Sequence, residues 1–73
     1  MITPEYLDAW FTYHAPTGPE QVQRYTELRE GARAFAELIV KLTPRGSDQV
    51  AAVRHVREAV MTANAAIACG GVG

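Results

Sequence analysis

In the last third of the chain, Arg57 and Asn64 lie two turns apart along one helical segment, and a seam of alanines runs beside them. Neither has an acidic residue three or four positions away, where a helical partner would sit. A fork of donors on a helix of small side chains suits recognition of a small anionic ligand better than it suits stability. Arg29 repeats the pattern: its helical neighbours are Tyr25, Thr26, Ala32 and Arg33, so it has no acidic partner and one like charge a turn away. Arg57 is flanked in the same way by Arg54. Like charges at this spacing are mildly unfavourable, whereas guanidinium groups hold phosphate bidentately, and two of them from different helices can clamp a phosphodiester. The competing use is an ion pair between subunits, to Asp8 or Glu27.

Asn64 offers both a donor and an acceptor, which can read a base edge or bridge a subunit interface. The segment Phe11-Thr12-Tyr13-His14 puts two aromatics and an imidazole on a connector, where Tyr13 and His14 can stack on a nucleobase. Trp10 and Phe11 are better suited to packing. Most other charges are explained by helix surfaces: Glu20 with Arg24, Glu37 with Lys41 and Arg54 with Glu58 are opposite pairs four apart, and Arg33 can reach Glu30 or Glu37. Catalysis finds no support. No Ser or Cys has a His beside it, no carboxylates are paired for acid–base work, and no Gly-rich loop follows a strand. No catalytic residue, metal ligand or cofactor is therefore assigned. His14 and His55 are far apart, and neither has a second ligand at metal-binding spacing.

These residues need elements to position them, and the pattern is helical throughout. Thr3 as N-cap, Pro4 at the first helical position and Glu5 behind it open a short helix through Phe11. Pro16 and Thr17-Gly18-Pro19 make a connector. A long helix then runs from near Pro19 to about Leu42, its apolar stripe being Val22, Tyr25, Leu28, Ala32, Phe35, Ile39 and Leu42. Thr43-Pro44-Arg45-Gly46-Ser47 breaks the stripe, and Ser47 or Asp48 can cap a second long helix reaching Cys69. Its stripe is Val53, Val56, Val60, Ala63 and Ile67. So short a connection makes the two long helices antiparallel neighbours. The expected architecture is all-α: a short N-terminal helix over residues 1–11, able to act as a lid, a helical hairpin over 12–69 that binds ligand and self-associates, and a flexible tail over 70–73 with nothing to hold it.

Seventy-three residues make one domain with a marginal core. The single cysteine, Cys69, excludes an internal disulfide, and no metal is indicated, so self-association is the remaining source of stability. Alanines on several faces of the second long helix point the same way, because a hairpin alone cannot cover them all. A net charge of −1 argues against a DNA or RNA polymer as partner but allows a small anion held by a few arginines. No apolar run reaches the length of a membrane span and no signal-peptide pattern opens the chain. With a lone cysteine, this predicts the cytoplasm.

Four blocks carry a resemblance: Phe11-Thr12-Tyr13-His14-Ala15-Pro16-Thr17, Leu28-Arg29-Glu30, Leu42-Thr43-Pro44, and Arg57-Glu58-Ala59-Val60-Met61-Thr62-Ala63-Asn64-Ala65-Ala66-Ile67. Over about residues 11 to 68 the chain resembles the hairpin domain of phage anti-CBASS proteins, which also occurs in anti-Thoeris proteins. The resemblance implies a helical homo-oligomer, a hexamer built from intertwined pairs and threes of subunits. It would sequester cyclic oligonucleotides such as 3′,3′-cyclic GMP-AMP in the host cytoplasm without cleaving them, so that CBASS effectors are not activated. It implies Tyr13 and Arg29, with His14 and Arg33 beside them, for cyclic dinucleotides. For cyclic trinucleotides it implies Arg57, Arg54 and Asn64. Two departures stand out. Only about ten residues precede the matching block, so any lid must be the first helix, and arginine occupies the long-helix site where lysine serves elsewhere. The rival reading is a helical oligomeric adaptor without a nucleotide ligand. A phosphodiesterase is a third, and the missing metal ligands speak against it.

Overall fold

The computed structural model describes residues 1–72. It contains three helices, α1 (Pro4–Phe11), α2 (Pro19–Leu42) and α3 (Ser47–Ala68), and no strand among the described residues. The all-α expectation holds, and so does the order of a short helix followed by a hairpin.

Local chemistry accounts for the helix ends. Thr3 is extended, and its Oγ1 accepts a hydrogen bond from the Tyr6 backbone N–H at 3.3 Å, with proline opening the first turn. At the start of α2, Gly18 provides no side-chain cap. Instead Gln21 reaches back past the cap, and its Oε1 accepts from the Thr17 N–H at 2.8 Å, tying the connector to the first turn. At its far end the Thr43 N–H and Oγ1 both donate to the Ile39 carbonyl, at 3.1 and 2.7 Å. Gln49 crosses from α3, and its Nε2 donates to the Val40 and Thr43 carbonyls at 3.3 and 3.1 Å. The expectation of a Ser47 or Asp48 cap is corrected. Gly46 is the N-cap and gives no side-chain bond. Ser47 already lies inside the first turn, where Asp48 contributes its charge to the positive end of the helix dipole.

Helices α2 and α3 pack as an antiparallel hairpin. Leu28, Ala32, Phe35 and Ile39 from α2 face Ala52, Val56, Ala59 and Ala63 from α3 across an open apolar groove of about 740 Å³, with Glu27 and His55 also on its walls. These are stripe positions or their immediate neighbours, so the 3.6-residue period set the packing face correctly. The groove is not covered by the chain itself. No side chain is buried among the described residues, and Phe35, Leu38, Val40, Leu42, Val50 and Met61 are all exposed.

The overall dimensions agree. The radius of gyration is 15.1 Å and the extents are 44 × 32 × 15 Å, whereas a compact domain of this length would have a radius of about 11 Å. The chain exposes 5926 Å², about 1,500 Å² more than a folded monomer of its mass.

After α3 the chain turns back. The Gly71 N–H donates to the Ala66 carbonyl at 3.0 Å and that of Gly70 to Ile67 at 3.3 Å. Both glycines have positive φ, 61° and 86°, as a helix end of this type requires. The indole Nε1 of Trp10 then donates to the Val72 carbonyl at 3.3 Å. Residues 70–72 of the expected tail therefore bond back to α3 and to Trp10, and residue 73 lies outside the described residues. Sequence reading saw Gly70-Gly71 only as a tail because the partner that closes it lies 62 positions away.

Candidate functional site

The candidate residues are distributed over three places. Tyr13 and His14 stand on the connector between α1 and α2. Tyr13 is 85% exposed, its ring free to meet a ligand. His14 is tied down, with Nε2–H donating to the Ala9 carbonyl at 2.7 Å. This bond fixes the proton on Nε2 and leaves Nδ1 as the free nitrogen when the ring is neutral. Arg29 and Arg33 lie four apart on one exposed face of α2. Arg54, Arg57 and Asn64 lie along α3.

The ion pairs separate the arginines into two groups. Arg24 meets Glu20 at 3.3 Å and Arg33 meets Glu37 at 2.9 Å, all four side chains being largely exposed. Such pairs contribute a few tenths of a kcal/mol. Glu37 pairs with Arg33, and the expected Glu37–Lys41 pair does not form. The expected Arg54–Glu58 pair does not form either: the Glu58 carboxylate lies 3.5 Å from His55 Nδ1, one residue nearer along the helix. Among the described residues Arg29, Arg54 and Arg57 have no acidic partner. Arg29 and Arg57 were expected to be unpaired, and Arg54 joins them.

Asn64 is half-buried, and its Oδ1 is shut away from solvent without a hydrogen-bond donor. An orphaned acceptor of this kind costs about 1–3 kcal/mol. In this conformation only the Nδ2 side of the amide is available to a ligand. The sequence placed Asn64 on the flank of the apolar stripe but could not tell which amide atom faces inward.

Within one chain these residues do not converge on a common cavity. The apolar groove is lined by none of the seven, and neither is the smaller cleft beside Trp10, Met61 and Val72. The arginines stand on outward helix faces, and Tyr13 stands beyond the N-terminal end of α2. No group of His, Cys, Asp or Glu side chains that could hold a metal ion occurs among the described residues. No helix there is long and apolar enough to cross a membrane.

A helical hairpin with an uncovered apolar groove, unpaired guanidinium groups on both long helices and an exposed connector tyrosine has the make-up of a binding protein. Its family is clear. The Acb2/Tad1 hairpin domain matches residues 3–68, nearly the whole chain and including α1, and the chain belongs to that family. Membership implies a phage sponge protein that binds cyclic nucleotides, in a family of non-catalytic proteins. No curated protein and no solved structure matches the chain.

Proposed function

We propose that this chain is an anti-defence sponge that captures cyclic oligonucleotide messengers in the cytoplasm of a phage-infected host and holds them intact. CBASS effectors would then go unactivated. Cyclic dinucleotides such as 3′,3′-cyclic GMP-AMP are the first ligand class, and cyclic trinucleotides the second. In this reading Tyr13 stacks on a base and Arg29 meets phosphate, with His14 and Arg33 beside them. Arg57, Arg54 and the Asn64 amide serve the trinucleotide. The observation that carries the reading is the set of unpaired arginines on a hairpin of this family.

The same reading requires several copies of the chain. Its candidate residues share no cavity in one chain, so a pocket formed between copies would bring them together. The surplus surface supports this. A standard interface removes about 800 Å² from each partner, so an excess of about 1,500 Å² has room for roughly two interfaces per chain. That favours an assembly larger than a dimer, and a hexamer is the proposed state. Residues 12–69 form the ligand-binding and assembly unit, α1 is the candidate lid, and the tail over 70–73 is the remaining segment. The rival reading, an oligomeric adaptor without nucleotide, draws on the same open groove and would use the unpaired arginines in ion pairs between subunits, to Asp8 or Glu27. Membership of a family of cyclic-nucleotide sponges favours the first reading.

The test is calorimetric titration of the purified protein with 3′,3′-cyclic GMP-AMP, followed by chromatography of the recovered ligand. Binding with fewer than one ligand per chain and intact recovery is the expected result. Absence of heat with this ligand, with cyclic trinucleotides and with cyclic ADP-ribose isomers would remove the reading in favour of the adaptor. Appearance of linear product would remove it in favour of a phosphodiesterase.

A further inference from the structure

Helix α1 is eight residues long, too short to be stable as an isolated helix, so its position depends on what it is fastened to. Beyond the bonds to its Thr3 cap, three hydrogen bonds among the described residues join it to the rest of the chain, and they use two carbonyl groups. The Val72 carbonyl accepts from Trp10 Nε1 at 3.3 Å. The Ala9 carbonyl lies in the last turn of α1, where no helical N–H follows to meet it. It accepts from the Cys69 thiol at 3.2 Å and from His14 Nε2 at 2.7 Å, which occupies both of its lone pairs. Trp10 is further held by its stack on Tyr6, with ring centroids 5.7 Å apart and planes within 9°. Its indole lines a cleft with Met61, Thr62, Ala65 and Ala66 of α3 and with Val72.

We propose that residues 69–72 form a clasp that fastens α1 to the end of α3, and that the clasp sets the position of the connector carrying Tyr13 and His14. The Ala9 carbonyl is the joint: it links Cys69 on one side to His14 on the other. Trp10 and Cys69 are then positioning residues for the cyclic-nucleotide site, a role that rests on the function proposed above. The clasp depends on the left-handed turn at Gly70 and Gly71. A chain with the clasp open would have to order α1 and the connector when the ligand arrives, and its affinity would fall by the fraction of chains already in place.

The test uses the full-length chain and its single tryptophan, Trp10. At Gly71 a Cβ would meet nothing within 4 Å, so the strain that Gly71→Val puts on the turn comes first from its positive φ. In Gly71→Val we expect red-shifted and more readily quenched Trp10 emission, faster amide exchange across α1, and unchanged assembled mass. We also expect roughly tenfold weaker capture of 3′,3′-cyclic GMP-AMP, as when about a tenth of the chains are in the competent arrangement. Cys69→Ala should move the same readouts in the same direction, and Cys69→Ser, which keeps a donor, should restore them. Unchanged Trp10 emission and α1 exchange in Gly71→Val and Cys69→Ala would overturn the clasp. A shift in emission with unaltered affinity would overturn its positioning role. If the unaltered protein captures no cyclic nucleotide, the proposed function fails, while Trp10 emission and α1 exchange still decide whether the clasp exists.

Discussion

Arg29 and Arg57 keep their charges without an ion-pair partner, and each is followed or preceded on its own helix by another arginine. A phosphate would offset that repulsion, and Tyr13 stands exposed where a base can stack. Replacing Tyr13 by Ala should remove a stacking contribution of about 1–3 kcal/mol, and Arg29→Ala a charged hydrogen bond of about 1.5–3 kcal/mol. Titration with 3′,3′-cyclic GMP-AMP should therefore show at least several-fold weaker binding for each, with helix content by circular dichroism unchanged. Arg29→Lys should recover only part of the loss, since a point charge replaces a planar fork. Asn64 makes a different prediction. Its orphaned Oδ1 and the helix preference for alanine together favour Asn64→Ala by about 1 kcal/mol. Thermal melts should show that variant to be more stable, while its capture of a cyclic trinucleotide weakens. A destabilised Asn64→Ala protein would mean that the amide has a partner in the assembled form.

At the scale of elements, the two long helices are joined by four residues, Thr43–Gly46, and that link is stiffened by a side chain outside it. Gln49 holds the Val40 and Thr43 carbonyls from the first turn of α3. Its replacement by Ala should lower stability by about 1 kcal/mol, seen as a lower melting temperature, with cyclic-nucleotide affinity scarcely altered because the link is remote from Tyr13. The helices and their stripes were legible in the residues themselves, since Pro19, the step of three and four, and the Pro44-containing break are local signals. The Gln49 tie was not legible, because a glutamine early in a helix reads as an ordinary surface residue until the hairpin folds it over the preceding helix end. The Trp10–Val72 bond escaped for the same reason over a longer span.

For the molecule as a whole, the chain has helices but no buried side chain among its described residues. Stability and assembly should therefore be one transition: on dilution, loss of helix content should track loss of assembled mass in sedimentation, and the melting temperature should rise with concentration. Phe35 offers a sharper check. It lines the groove and is 55% exposed in a single chain, so Phe35→Asp costs that chain little. If a second copy covers the groove, the new charge would be desolvated there, and light scattering should report single chains that no longer capture ligand. An unchanged assembled mass would show that copies meet on another face.

Local order and chemical character were set by residue type and period alone. Thr3 caps α1, alternating steps of three and four define the stripes, and the missing acids around Arg29 and Arg57 leave those charges unpaired. These depend on neighbours within a turn or two, so they can be read along the chain. Contacts closed only by folding required the three-dimensional arrangement. Gln49 ties down the end of the preceding helix, Asn64 turns its oxygen inward, and the Gly70–Gly71 turn carries Val72 to Trp10. Each of these is a choice among competing partners within reach, or across 62 positions of chain, and geometry rather than spacing selects the winner.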